Sequence, residues 1–433
     1  MITRGRIAVA LWALLIAGAF AWGEALRRSG GETQDPHPPL LAEFRLPTWQ
    51  LLPAAAVAAL GVALLPVAAR RLGWRPLLLV SWAASLTWTV VLALSDGPSA
   101  LGGPFSSPAE YLAGLGAVRA AGPLRWLRTF THDMPAYPVH VQGHPPLPTL
   151  FVWLLDAVGL TGPTWAAVLV VLAGCSSVMA IAITLRSLAG EDAARRALPF
   201  LALAPLVVWI ATTMDALFLA VAAWGVSLLV IGSSNVLGAG VLLGALPYLS
   251  YGLLPLLAVP AAVLLVRGAG WRALVALVVG LAVVPVLFTW GGFWWADGVS
   301  ATHAAYLANG GSSRRPYGYF LVGDVAVLAL LVGPAVAYVL PELFGTWRAV
   351  PALVRSGRTA EKAGTGVLAG AVLIALAVLD LSGVTRGEVE RIWVPYAMWV
   401  ITATALHRPP ARGWLAAQAV TGLALQAFIA SPW

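Results

Sequence analysis

Charge is what this sequence has least of. Only 10% of its 433 residues are Asp, Glu, Lys or Arg, whereas 60% are hydrophobic and the mean hydropathy is +0.85. A soluble domain carries about 25% charged residues. This composition excludes a water-soluble globule with a single anchor and defines a polytopic membrane protein. The chain has one cysteine, Cys175, inside an apolar run. That excludes an intrachain disulfide and fits a small packing residue. No glycine-rich phosphate-binding motif is present, so no nucleotide site is expected. Lysine is nearly absent, Lys362 being the only one, and the net charge of +8 comes from arginine.

Apolar runs bounded by charge or by Gly/Pro clusters predict helices near 7–23, 49–69, 76–95, 163–185, 197–211, 215–231, 235–250, 252–266, 273–290, 318–340, 366–381, 392–406 and 414–431. The first has the form of a signal peptide, with Arg4 and Arg6 ahead of an apolar core and Ala19-Phe20-Ala21 near its end. With twelve more runs behind it, it reads as a retained signal anchor. Either reading puts the N-terminus in the cytoplasm.

One further run, in "YPVHVQGHPPLPTLFVWLLDAVGL" (137–160), is short. As a helix, 16 residues span about 24 Å, less than the roughly 30 Å hydrocarbon core. Charge decides its placement. If 146–160 does not cross, the N-terminal side holds 16 of the 26 basic residues, including Arg70/Arg71, Arg195/Arg196 and the cluster 348–362, against four acids. The opposite side then holds ten basic and fourteen acidic residues. If it crosses, the strong basic loops after it flip outward, against the positive-inside rule. The run is therefore expected to be a juxtamembrane or re-entrant helix in a large first outer loop, about 95–162. The expected fold is an all-α polytopic membrane protein of about 13 spans in one domain, N-terminus inside and C-terminus outside.

That topology gathers the polar residues at the outer face. Asp96 closes a span in "VVLALSDGPSA", where a carboxylate opposes the helix dipole. Its bland reading is a solvated boundary residue before a Gly-Pro turn. Glu110, in "SSPAEYL", reads blandly as a first-turn acid. His140 and His144 invite a metal reading, but ligands four apart need a helix, and Pro138, Pro145 and Pro146 argue against one there. Asp215 begins the run "TMDALFLAVAAWG". Arg314 and Arg315, in "SSRRPYGYF" ahead of Tyr317, and Arg391, in "GEVERIWVPY", sit at the starts of spans. They are either interfacial anchors or a phosphate clamp, because a guanidinium fork pairs with phosphate oxygens.

The order of these features resembles the glycosyltransferase C superfamily, polytopic enzymes that use polyprenyl-phosphate sugars: an acid ending an early span, a long outer loop, "GHPPLPTL" opening a short helix, then "TMDALFLAVAAWG". "RRPYGYF" and "GEVERIWVPY" are similar to stretches in actinobacterial proteins of this type. The resemblance covers the chain from about Arg75 onward, with residues 1–74 as two additional spans. It implies that Asp96 matches the acceptor-activating acid. The second-loop acidic motif of metal-dependent members is absent, with only Asp215 near, so no metal or other cofactor is indicated.

The chemistry of such a transfer suits the candidate residues. A sugar hydroxyl is a weak nucleophile and needs a carboxylate to take its proton; Asp96 is the candidate base, and Glu110 is the second catalytic candidate. The leaving phosphate needs cations, for which Arg315, Arg391, Arg314 and His303 are candidates. Tyr137, His140, His144, Asp215 and Tyr317 are candidates for positioning substrate. The expected function is transfer of a mannose- or arabinofuranose-type sugar from a polyprenyl-phosphate donor to a cell-envelope glycan or glycolipid, at the extracytoplasmic face of the plasma membrane. Nucleic acid is not an expected partner. The alternative is a flippase or transporter of lipid-linked sugars, which would share the spans and arginines.

Overall fold

The computed structural model describes residues 3–31, 33, 35–211, 213–308, 310, 314–356, 361–408 and 411–433. Arg358 of the basic cluster, and Thr212 just ahead of Asp215, lie outside the described residues. The chain is all-α and membrane-embedded. Helices α1 (Arg4–Arg28), α2 (Leu52–Arg71) and α3 (Trp74–Leu94) come first, with strand β1 (Glu43–Phe44) between α1 and α2. The long loop after α3 folds into α4 (Leu115–Ala121), α5 (Pro123–Asp133), α6 (Val139–Gly143) and α7 (Leu147–Ala157). Next come α8 (Pro163–Ala189), α9 (Glu191–Ala202), α10 (Asp215–Ile231), α11 (Val236–Leu249), α12 (Ala258–Arg267), α13 (Trp271–Trp290) and α14 (Trp295–Ala308). The chain then runs through α15 (Tyr317–Thr346), α16 (Val350–Ser356), α17 (Glu361–Ser382), α18 (Val389–Ile392), α19 (Val394–Val400), α20 (Arg412–Phe428) and β2 (Ile429–Ala430).

Among the described residues, seven helices are long and apolar enough to cross a membrane: α1, α2 with its preceding turn, α3, α8, α13, α15 with the turns after it, and α17. The other six predicted runs are helical but shorter. Prolines explain much of this, because each removes a backbone donor and clashes with the preceding turn. The run 197–211 contains Pro199 and Pro205 and becomes the end of α9 plus a 3-10 turn. The run 252–266 contains Pro255 and becomes a 3-10 turn followed by α12. The short segment α7 has 11 residues, about 16 Å at 1.5 Å per residue, which is half of a hydrocarbon core.

Helices α8, α10, α15, α17 and α19 form the packed interior. Much of α1, α2 and α13 is left uncovered, with Leu11, Leu14, Leu64, Val278 and Leu287 exposed. Apolar faces of that extent require lipid as the solvent. On α11 and α13, Gly240, Gly244 and Gly280 let two backbones touch, since a Cβ on Gly280 would strike the α11 backbone. The interior of α15 is broken at Gly333 (φ 75°), ahead of Pro334. Carbonyls beside the break find other donors. Gln418 Nε2 of α20 donates to Val332 at 2.7 Å, and Trp12 Nε1 of α1 donates to Ala329 at 2.7 Å.

Candidate functional site

The site is built on the tight segment 383–393. Gly383 and Gly387 take left-handed backbone, and Glu388 follows them there at φ 56°, alone among the described non-glycine residues. Such a conformation costs on the order of 1–2 kcal/mol. Two ion pairs hold Glu388 in it. Oε1 accepts from Arg315 Nη2 and Oε2 from Arg391 Nη2, each at 2.9 Å. Arg315 also donates to the Arg386 carbonyl at 2.7 Å. The two arginines thus converge on one carboxylate, although they are 76 positions apart in the chain. Burial pushes the Glu388 carboxyl up, but the Arg391 and Arg315 guanidiniums outweigh it and hold it down at about 2.

Arg391 is buried. Its Nη1 meets Asp215 Oδ2 at 3.3 Å, in the first turn of α10, and its Nη2 meets His140 Nε2 at 3.4 Å. An arginine has no lone pair to offer, so His140 Nε2 is assigned as the acceptor and Nδ1 as the protonated nitrogen. His140 Nδ1 then donates to Glu110 Oε1 at 2.7 Å, with both side chains only 9% exposed. The result is a continuous buried chain, Glu110–His140–Arg391–Asp215. His144 lies against it, with Nδ1 2.9 Å from the His140 carbonyl and its ring 5.6 Å from Tyr111. Burial, then the neighbouring Arg391 and His140, lower His144 to about 3, so its imidazole is neutral at physiological pH. The Nε atoms of Arg315 and Arg391 are buried N–H donors with no partner in the structure. Several buried indole N–H groups of the interior are in the same condition.

Contrary to the expectation from the prolines, His140 does lie on a helix. The single turn α6 starts directly after Pro138 and ends before Pro145. Proline ahead of a first turn removes an N–H that has no helical partner anyway. Among the described residues no group of three or more His, Cys, Asp or Glu is placed to hold a metal ion.

The structure brings Glu110, His140, His144, Asp215, Arg315 and Arg391 together. It sets the other candidates apart. Asp96 is 38% exposed and forms its own node, with Oδ1 2.6 Å from Arg45 Nη1 and Oδ2 accepting from Gln426 Nε2 at 2.9 Å. Tyr137 packs on Trp126 and Phe130 in an aromatic cluster. Tyr317 lies under Arg386 and donates to the Leu381 carbonyl. Arg314 and His303 are on the surface.

Five contributors went unforeseen, the first being Glu388, which both arginines share. Asp35, from the α1–α2 loop, is buried 3.6 Å from Arg315 Nη2. Arg45, from the same loop, holds Asp96. Glu390 is buried and accepts from Leu41 N–H at 3.3 Å and from Trp433 Nε1 at 3.2 Å. The Trp433 ring covers Arg391, 4.4 Å from its guanidinium carbon. Only Glu388 and Glu390 carried a sequence clue, their closeness to Arg391. Asp35, Arg45 and Trp433 lie in segments outside any run or motif.

Burial pushes both Asp35 and Glu390 up to about 7, and Arg315 only partly offsets this for Asp35. A folded-state value above the unfolded one means that the native protein holds the proton more tightly. The associated stability is therefore full below about pH 4 and is lost as the pH rises through 7. Between pH 5 and 7, the wild type is expected to lose thermal stability relative to Asp35→Asn/Glu390→Gln, which cannot titrate at these positions. Melting curves of both detergent-solubilised proteins at pH 5, 6 and 7 check this, and parallel curves would show that neither carboxyl carries a proton in the native state.

Two cavities lie outside this cluster. One, about 360 Å³, is an apolar groove between α1, α15 and α20, lined by Trp12, Phe20, Phe44, Leu330, Val420 and Phe428 among others. It ends at the β1–β2 ribbon, whose continuation carries Trp433. The other, about 410 Å³, lies in the 95–162 loop beside the Arg119–Asp156 ion pair. Comparisons with protein-family models, with curated proteins and with solved structures found no match to this chain.

Proposed function

We propose that this chain is a membrane glycosyltransferase of the glycosyltransferase C type. It transfers a mannose- or arabinofuranose-type sugar from a polyprenyl phosphate to a hydroxyl of a cell-envelope glycan or glycolipid. One observation carries the reading: a buried arginine and a partly exposed one share a single carboxylate and each keeps an unpartnered N–H, beside a paired carboxylate and imidazole. The arginines take the phosphate as its charge develops, the groove takes part of the isoprenoid tail, and Asp96 takes the acceptor proton. Glu110 orients His140, whose neutral Nε2 accepts from Arg391 and fixes the direction of its fork.

In this reading the six shorter apolar runs also cross, giving 13 spans with the N-terminus in the cytoplasm. The 95–162 loop and the arginines then face the extracytoplasmic side of the plasma membrane. The two spans before Arg75 are additions to a common core, and their connecting loop supplies Asp35 and Arg45.

A transport reading has one observation in its favour, the break in α15, because interrupted helices mark many transporters. The break is filled by Gln418 and Trp12 and not by the arginines. The two readings separate in proteoliposomes supplied with radiolabelled polyprenyl-phosphate mannose and, in parallel, polyprenyl-phosphate arabinose, together with a cell-envelope extract as acceptor. The expected result is label in the acceptor fraction from one donor. Donor crossing the bilayer with no labelled acceptor would favour the flippase.

A further inference from the structure

Arg391 is central to the site and yet closed to it. Three of its approaches are taken by Asp215, Glu388 and His140. The indole of Trp433 covers the guanidinium, its ring centre 4.4 Å from Cζ and 5.8 Å from the His140 ring centre. Its Nε1–H is anchored on Glu390 Oε1 at 3.2 Å. The indole therefore occupies space beside the guanidinium that an incoming phosphate would need.

The segment that carries this cover is lightly held. After α20 the chain pairs with β1 over only two residues, Glu43 opposite Ala430 and Phe44 opposite Ile429, with Arg45 N–H on the Phe428 carbonyl as one further bond. A two-stranded ribbon of that length has little stability of its own. Beyond it, Pro432 is exposed, and the local backbone bond is Trp433 N–H to Ser431 Oγ at 3.3 Å. The indole is thus held by its side-chain contacts, a cation–π pair with Arg391, a hydrogen bond to the Glu390 carboxyl and ring packing on His140 at the edge of the core. A phosphate bound at Arg391 would replace the first of these.

We propose that Ser431–Trp433 is a gate on the arginine site, closed by Trp433 resting on Arg391 and opened when the phosphate of an anionic lipid takes the guanidinium. The proposal rests on the reading of Arg391 as a phosphate ligand. It adds that access to this ligand is controlled, through the β1–β2 ribbon, by the loop that also carries Asp35 and Arg45.

The test uses the full chain in nanodiscs, with dodecyl phosphate as the probe, comparing wild type, Trp433→Ala and Trp433→Phe. Removing the cover should raise the association rate constant by about tenfold, the scale of a lost cation–π contact, and tighten binding. Trp433→Phe, which keeps a ring but loses the bond to Glu390, should fall between. Slower association or weaker binding in Trp433→Ala would overturn the gate, because the indole would then support the headgroup. A second readout needs no ligand: amide exchange over residues 387–393 should be faster in Trp433→Ala than in wild type. Unchanged exchange there overturns the gate even if Arg391 binds phosphate. Faster exchange with no dodecyl phosphate binding in any of the three proteins overturns instead the phosphate reading, and the proposed opening with it.

Discussion

Arg391→Ala is expected to weaken binding of dodecyl phosphate by about two to three powers of ten, the scale on which one partner of a buried, hydrogen-bonded charge pair is removed. The size follows from the geometry. Arg391 meets Glu388 through one nitrogen, Asp215 through another and His140 through the first again, and its remaining N–H is unpartnered. Its loss removes a phosphate donor and also leaves Asp215 and half of Glu388 without a cation. Arg391→Lys keeps the charge but has no planar fork, so it should retain more binding than alanine, at about a tenth of wild type. Arg315→Ala, which leaves Arg391 in place, should lose less, and melting curves of each variant check that it is folded. Equal dodecyl phosphate affinity in wild type, Arg391→Ala and Arg391→Lys would remove the phosphate clamp from the mechanism.

The second large effect is expected at Asp96. A positioned general base contributes about 10²–10⁴-fold to rate. Asp96→Asn keeps the shape and the bond to Gln426 but cannot accept a proton, so turnover should fall in that range while donor binding persists. Glu110→Gln should be milder, since Glu110 acts through His140 by holding its Nδ1 proton. Single-turnover transfer from a radiolabelled polyprenyl-phosphate sugar, measured beside donor binding, separates the outcomes. Near-normal transfer by Asp96→Asn would pass the base role to Glu110 or Asp215. Joint loss of binding and transfer would instead mean that Asp96 chiefly holds Arg45 and, through Gln426, the end of α20.

How far the site was legible depends on how local each interaction is. Arg391, Glu388 and Glu390 lie within four positions of one another, and their mixed charge at the start of an apolar run marked the segment directly. Asp215 was visible as a carboxylate where a helix dipole favours one. The pairing of His140 with Glu110 was not, because the prolines suggested an irregular loop, whereas Pro138 in fact precedes a helical turn that turns His140 toward Glu110. Tyr137 shows the converse. Its neighbours in sequence, Pro135 and Pro138 among them, show no core periodicity, but its ring belongs to a packed aromatic cluster.

The sequence by itself determined that this is an all-α membrane protein and where its apolar segments fall. The reason is that lipid offers the backbone no hydrogen-bond partners, so each apolar run must satisfy its own peptide groups as helix. Tertiary structure decided which charges meet. Glu388 reaches Arg315 from 73 positions away, Asp35 reaches Arg315 across most of the chain, and Trp433 arrives on Arg391 from the far side of α20. Such pairings depend on how helices pack and how loops return over them. No periodicity encodes that, because an arginine that anchors a span at the interface and one that waits for a phosphate have the same local sequence and differ only in what the rest of the chain places beside them.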